Sequence, residues 1–97
     1  MTSKIKLPDV YKKDFPYKFY KCWWSDITSC SSWNTISDIK KSKTAVCITM
    51  GWLIHSSEDK FVLIGDITFN DDGTVNEGGN STVIPKSNVL KMKEIKL

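Results

Sequence analysis

Trp24, Asp26 and Trp33 are the residues whose types and spacing could do chemistry. Two indole planes on either side of a short polar loop, Asp26 to Ser32, can stack a base-like ring, and a carboxylate beside them can accept hydrogen bonds from it. Trp23 directly precedes Trp24, and consecutive side chains on a strand point to opposite faces. One of the pair therefore belongs to the core and the other to a second surface. Lys86, with Lys91, Lys93 and Lys96, offers ammonium point charges for phosphate oxygens, of which a small phosphorylated ligand needs only two or three. Trp24, Asp26, Trp33, Lys86 and Trp23 are thus the candidate ligand-binding residues, and the ligand they suit is small, flat and nucleotide-like. The same residues also have a packing account, in which Trp33 plugs one end of the fold and Asp26 caps the loop that follows it.

Catalysis finds no such foothold. His55 is the single histidine and sits at the end of a long apolar run, with no nucleophile or carboxylate at a spacing that implies a triad. Cys22, Cys30 and Cys47 lack the short paired spacings of zinc modules, and their odd number argues against a disulfide framework. Asp66, Asp71, Asp72 and Glu77 do not follow the ligand order of a calcium-binding loop, and no glycine-rich phosphate loop is present. No catalytic residue, metal ligand or cofactor is assigned, and the expectation is a protein that is not an enzyme.

The chain has 97 residues, a length for one domain, with 14 lysines, no arginine and a net charge of +3. That modest net charge conceals a segregation, because residues 1–21 are basic whereas residues 56–80 hold Glu58, Asp59, Asp66, Asp71, Asp72 and Glu77. The missing arginine and the acidic block count against a nucleic-acid partner. No apolar run approaches the ~18 residues of a membrane span, and the polar, basic start is unlike a secretory signal, so a cytoplasmic protein without a membrane partner is expected.

The elements that must position these residues are strands. Residues 1–17, with Pro8 and Pro16, suit an N-terminal arm, and residues 18–97 a single β domain. Lys18 to Ser25 is rich in β-formers; Trp33, Ile36 and Ile39 then recur at a helical spacing over barely two turns. Thr44 to His55 carries apolar residues on both faces, so it should be covered on both sides or curl into a barrel, with Trp52 in the core. Lys60 to Phe69 returns as its hairpin partner after a polar turn. Asp71-Asp72-Gly73 and Gly78-Gly79 imply an exposed loop over 70–80 with at most a small hairpin near Val75. A short strand, Thr82 to Pro85, and a lysine-bearing edge strand, Val89 to Leu97, complete the set.

Val83-Ile84-Pro85-Lys86-Ser87-Asn88-Val89 resembles the end of an SH3-type barrel, where a strand closes on an apolar-Pro step, a 3₁₀ turn follows and a last strand completes the barrel. A broader pattern is similar to that of a group of small phage-encoded proteins, mostly of unassigned activity: Trp24-Ser25-Asp26, Ser32-Trp33, Met50-Gly51-Trp52-Leu53-Ile54 and Ile84-Pro85-Lys86. Ser32 departs from it, since the group usually has glycine there. These resemblances imply an all-β fold, a small SH3-like barrel of about five strands with a short helical turn inserted after the first strand, and a phage origin. The function expected on that basis is non-enzymatic: a phage accessory protein that sequesters a small host ligand, such as a nucleotide immune signal, in the host cytoplasm. The alternatives are a module that grips a host protein or serves phage assembly and, third, a single-strand nucleic-acid binder. Apolar residues on both faces of Thr44 to Ile54 further lead us to expect a homo-oligomer.

Overall fold

The computed structural model describes residues 7–11 and 14–97. Of the expected N-terminal arm, residues 1–6, 12 and 13 lie outside that set; Phe15 packs edge-on against Tyr17 at 6.1 Å between ring centroids and lies 6.4 Å from Phe69. Five antiparallel strands follow: β1 (Lys18–Asp26), β2 (Ala45–Ser56), β3 (Lys60–Phe69), β4 (Val75–Pro85) and β5 (Val89–Ile95). They form one sheet in the order β4-β3-β2-β1-β5. The chain is all-β as expected, but β4 and β5 do not pair, so the sheet is open where a closed barrel was anticipated.

Local chemistry accounts for the ends of these elements. Asp26 closes β1 by accepting a hydrogen bond from the Ile27 N–H through Oδ1 at 2.8 Å. The short helix α1 (Ile36–Lys40) begins at Thr35, which has extended dihedrals and accepts from the Asp38 N–H through Oγ1 at 3.1 Å. The Lys41 and Ser42 N–H groups donate back to the Asp38 and Ile39 carbonyls and end it. Between β2 and β3, the Ser57 N–H donates to the Lys60 carbonyl at 3.0 Å and its hydroxyl to Asp59 Oδ1 at 2.6 Å. After β4 a 3₁₀ turn, Lys86–Asn88, leads into β5, in line with the apolar-Pro step at Ile84-Pro85.

The loop expected over residues 70–80 is instead mostly strand. Only Asn70–Thr74 turns, held by the Asn70 N–H on the Thr74 carbonyl at 2.8 Å, and β4 then runs without interruption through Gly78 and Gly79. Gly78 is there for clearance, because a Cβ would stand 2.9 Å from Ile64 Cδ1. Gly51 answers the same demand across β2 and β3, where a Cβ would stand 2.5 Å from the Ile64 carbonyl oxygen.

Register sorts the side chains onto two faces. Cys22, Leu63 and Ile84 are fully buried on one of them, with Tyr20, Trp24, Leu53, Val89 and Met92 packed around. On the other lie Phe19, Lys21 and Trp23 of β1, opposite Trp52, Met50 and Ile48 of β2 and Ile95, Lys93 and Lys91 of β5. Trp52, expected in the core, therefore sits half-buried away from it, edge-on to Phe19 at 5.1 Å, and its indole N–H is buried without an acceptor among the described residues. The N-terminal half of β2 departs further from expectation: Val46, Ile48 and Met50 are 68, 54 and 56% exposed. Along this half β2 pairs with β1 alone among the described strands, since β3 pairs with β2 only from Trp52 to Ser56.

Candidate functional site

Strand parity and packing divide the two adjacent tryptophans. Trp24 turns to the core face, where its indole N–H donates to Thr49 Oγ1 at 3.0 Å, so both its apolar area and its donor are engaged within the fold. Trp23 turns to the opposite face. There the Lys21 ammonium lies 4.9 Å and the Lys91 ammonium 5.2 Å from its ring centroid. These partners follow from the fold, since Lys21 is two residues from Trp23 on the same strand and Lys91 directly faces Trp23 from β5, with Lys93 facing Lys21. The tryptophan presenting a second surface is thus Trp23.

The remaining expected site residues are only partly brought together. The Asn88 side-chain amide donates to the Ser25 carbonyl at 2.9 Å and ties the 3₁₀ turn that carries Lys86 to the end of β1 that carries Asp26. Asp26 spends one carboxylate oxygen on the Ile27 N–H, and the Lys86 ammonium lies 4.7 Å above the Phe61 ring. Trp33 joins none of them. It is 101% exposed, on a loop held at its base by the Thr28 hydroxyl on the Lys43 carbonyl at 2.8 Å. A side chain that exposed does not plug an end of the sheet, so the packing account does not hold for Trp33.

The surface assembled around Trp23 joins a flat indole, three ammonium groups from Lys21, Lys91 and Lys93, and an aliphatic edge from Ile48 and Met50, which face Trp23 and Lys21 from β2. It can stack one face of a planar group and place cations at that group's rim. Lys21 is the residue that sequence reasoning passed over, although its i, i+2 relation to Trp23 already put the two on one face of a strand. A broad cleft of about 810 Å³ lies elsewhere, between Leu7–Asp9, Asp14–Pro16 and the Phe69–Val75 turn, and contains none of the expected site residues.

Among the described residues no three His, Cys, Asp or Glu side chains are grouped to hold a metal ion, and Cys22, Cys30 and Cys47 are free thiols. No helix among them is long and apolar enough to cross a membrane. Against protein-family models, curated proteins and solved structures alike, the chain finds no match.

Proposed function

We propose that this chain is a non-enzymatic binding protein whose Trp23 surface holds a flat, anionic small ligand of the nucleotide class. The observation that carries this reading is the placement of the Lys21 and Lys91 ammonium groups 4.9 and 5.2 Å from one exposed-face indole. Exposed cation–π contacts stabilise by only ~0.5–1 kcal/mol, whereas stacking a base on an aromatic ring contributes ~1–3 kcal/mol. A ligand ring can therefore displace either lysine from the indole, and the displaced ammonium then meets the phosphates. The resemblance to small phage-encoded proteins supports a phage accessory role, sequestering a host nucleotide signal and so acting against host defence in the cytoplasm. Strand order and the Lys86–Asn88 turn support an SH3-like reading of the architecture, with the β4–β5 side left open.

The test is calorimetric titration with linear and cyclic mono- and dinucleotides, with recovery of each ligand intact after heat release. Saturable binding that Trp23→Ala abolishes and Trp23→Phe partly retains supports the proposal; no binding at millimolar concentration across the panel overturns it. A second reading, a module that grips a host protein, is favoured by the outer edge of β5, which pairs only with β1 among the described strands. It predicts silence toward every small ligand and capture of a macromolecule, lost when proline replaces Leu90.

A further inference from the structure

Residues 27–44, between β1 and β2, are exposed without exception, yet they carry Ile27, Trp33, Ile36 and Ile39. Within this excursion α1 has five residues and no buried one. A helix so short does not persist on its own propensity; it requires tertiary packing of its apolar face. Directly after it comes the bare apolar strip Val46, Ile48 and Met50, on a half-strand whose outer edge no described strand pairs. One chain thus presents two apolar surfaces, an arm and a strip, each left half or more exposed.

The exposed area of the whole chain is large enough for a second copy to be the cover. The chain exposes 7998 Å², where a compact monomer of 11.1 kDa exposes about 5,700 Å². Its radius of gyration is 18.9 Å, against about 12.5 Å for a compact domain of 97 residues. The surplus is roughly 2,300 Å² per chain, and burying only half of it on each of two copies gives an interface within the ~2,000–5,000 Å² range of obligate dimers. Under a two-fold axis an arm laid on the second copy's strip is matched by the reciprocal contact, so both surfaces are covered twice.

We propose that the protein is a homodimer in which Trp33, Ile36 and Ile39 of each copy pack on Val46, Ile48 and Met50 of the second copy. The inference does not rest on the ligand reading, although Ile48 and Met50 also border the Trp23 surface, and its experiment is run on ligand-free protein, so failure of one is read apart from failure of the other. Sedimentation equilibrium at tens of micromolar should return twice the 11.1 kDa chain mass; a single-chain mass overturns the proposal. Trp33→Ala and Ile48→Lys should each weaken association by at least ~30-fold, the scale of a central anchor residue. Leu90→Lys, exposed on β5, should leave the mass unchanged. A dimer that survives both interface variants, or that Leu90→Lys alone dissolves, overturns the assignment of the surface. Hydrogen exchange on the unmutated chain provides a reading independent of variant folding. Amides of residues 27–50 should exchange more slowly as protein concentration rises, and exchange there that is independent of concentration also overturns the proposal.

Discussion

The three cysteines show how burial and hydrogen bonding separate residues of one type. Burial in the core pushes the Cys22 thiol above its ordinary pKa, whereas Cys30, on the exposed loop, is held below it by hydrogen bonds from the Ser32 backbone and side chain and, more weakly, from Asn34. Thiolate is the reacting species, so iodoacetamide at neutral pH should modify Cys30 first and Cys22 only on unfolding. Peptide mapping over a time course checks this, and equal rates for the two would contradict the burial of Cys22. Gly51 gives a second expectation. A methyl group there meets the Ile64 carbonyl oxygen at 2.5 Å, and backbone is slow to yield, so Gly51→Ala should cost about 1–3 kcal/mol in urea unfolding. Wild-type stability in that variant would mean that β2 and β3 can part without loss.

At the scale of elements, the chain is joined at few points, and those points govern what reaches the Trp23 surface. The amide of Asn88 on the Ser25 carbonyl, 63 residues apart, holds the 3₁₀ turn against the end of β1 and so sets where β5 begins. Lys91 and Lys93 depend on that start for their places opposite Trp23 and Lys21. Asn88→Ala should lower stability by about 1 kcal/mol, the net worth of one hydrogen bond, and should weaken nucleotide binding more, per unit of lost stability, than a core change does. Ile84→Ala provides that comparison, with a loss of about 2–5 kcal/mol from a fully buried side chain. Equal effects of the two on binding per unit of lost stability would show that the turn does not position the lysines.

For the whole molecule, charge gives a pH profile whose sign can be worked out. Glu94 is held below the ordinary carboxylate range chiefly by its hydrogen bond from Lys96, which lies 2.9 Å away, Asp59 by the Ser57 hydroxyl and Asp72 by Thr74. A carboxyl whose folded pKa is depressed contributes stability above its unfolded value and loses it as pH falls through the folded one. Lys96, raised by Glu94, contributes below its own unfolded value and loses that contribution as pH rises through the folded one. The urea midpoint should therefore be flat near neutrality, fall below the ordinary carboxylate range and fall again at strongly alkaline pH. All four groups are solvated, so the acid decline should be shallow and further reduced by salt. A midpoint constant through the acid range would remove these carboxylates from any part in stability.

What the sequence by itself determined was local. Lys18 to Ser25 and Lys60 to Phe69 are strands because β-formers run uninterrupted there, a short helix lies after Thr35 because Ile36 and Ile39 follow a capping hydroxyl, and Pro85 sets a 3₁₀ turn. Each depends on neighbours within a few residues. Tertiary structure alone decided which way parity fell. Trp24 lies on the core face with Cys22 and Tyr20, where its N–H meets Thr49, and Trp23 lies opposite with Lys21 and Lys91. It also decided that Gly78 and Gly79 continue a strand where glycine pairs usually turn the chain, because β3 pairs through both, Ile67 facing Gly78 and Asp66 facing Gly79. Only tertiary structure, again, could show that Val46, Ile48 and Met50 lie bare, since an apolar strand reads the same whether or not a neighbour covers it. Local propensity is written in consecutive residues; coverage depends on contacts between residues far apart in the chain.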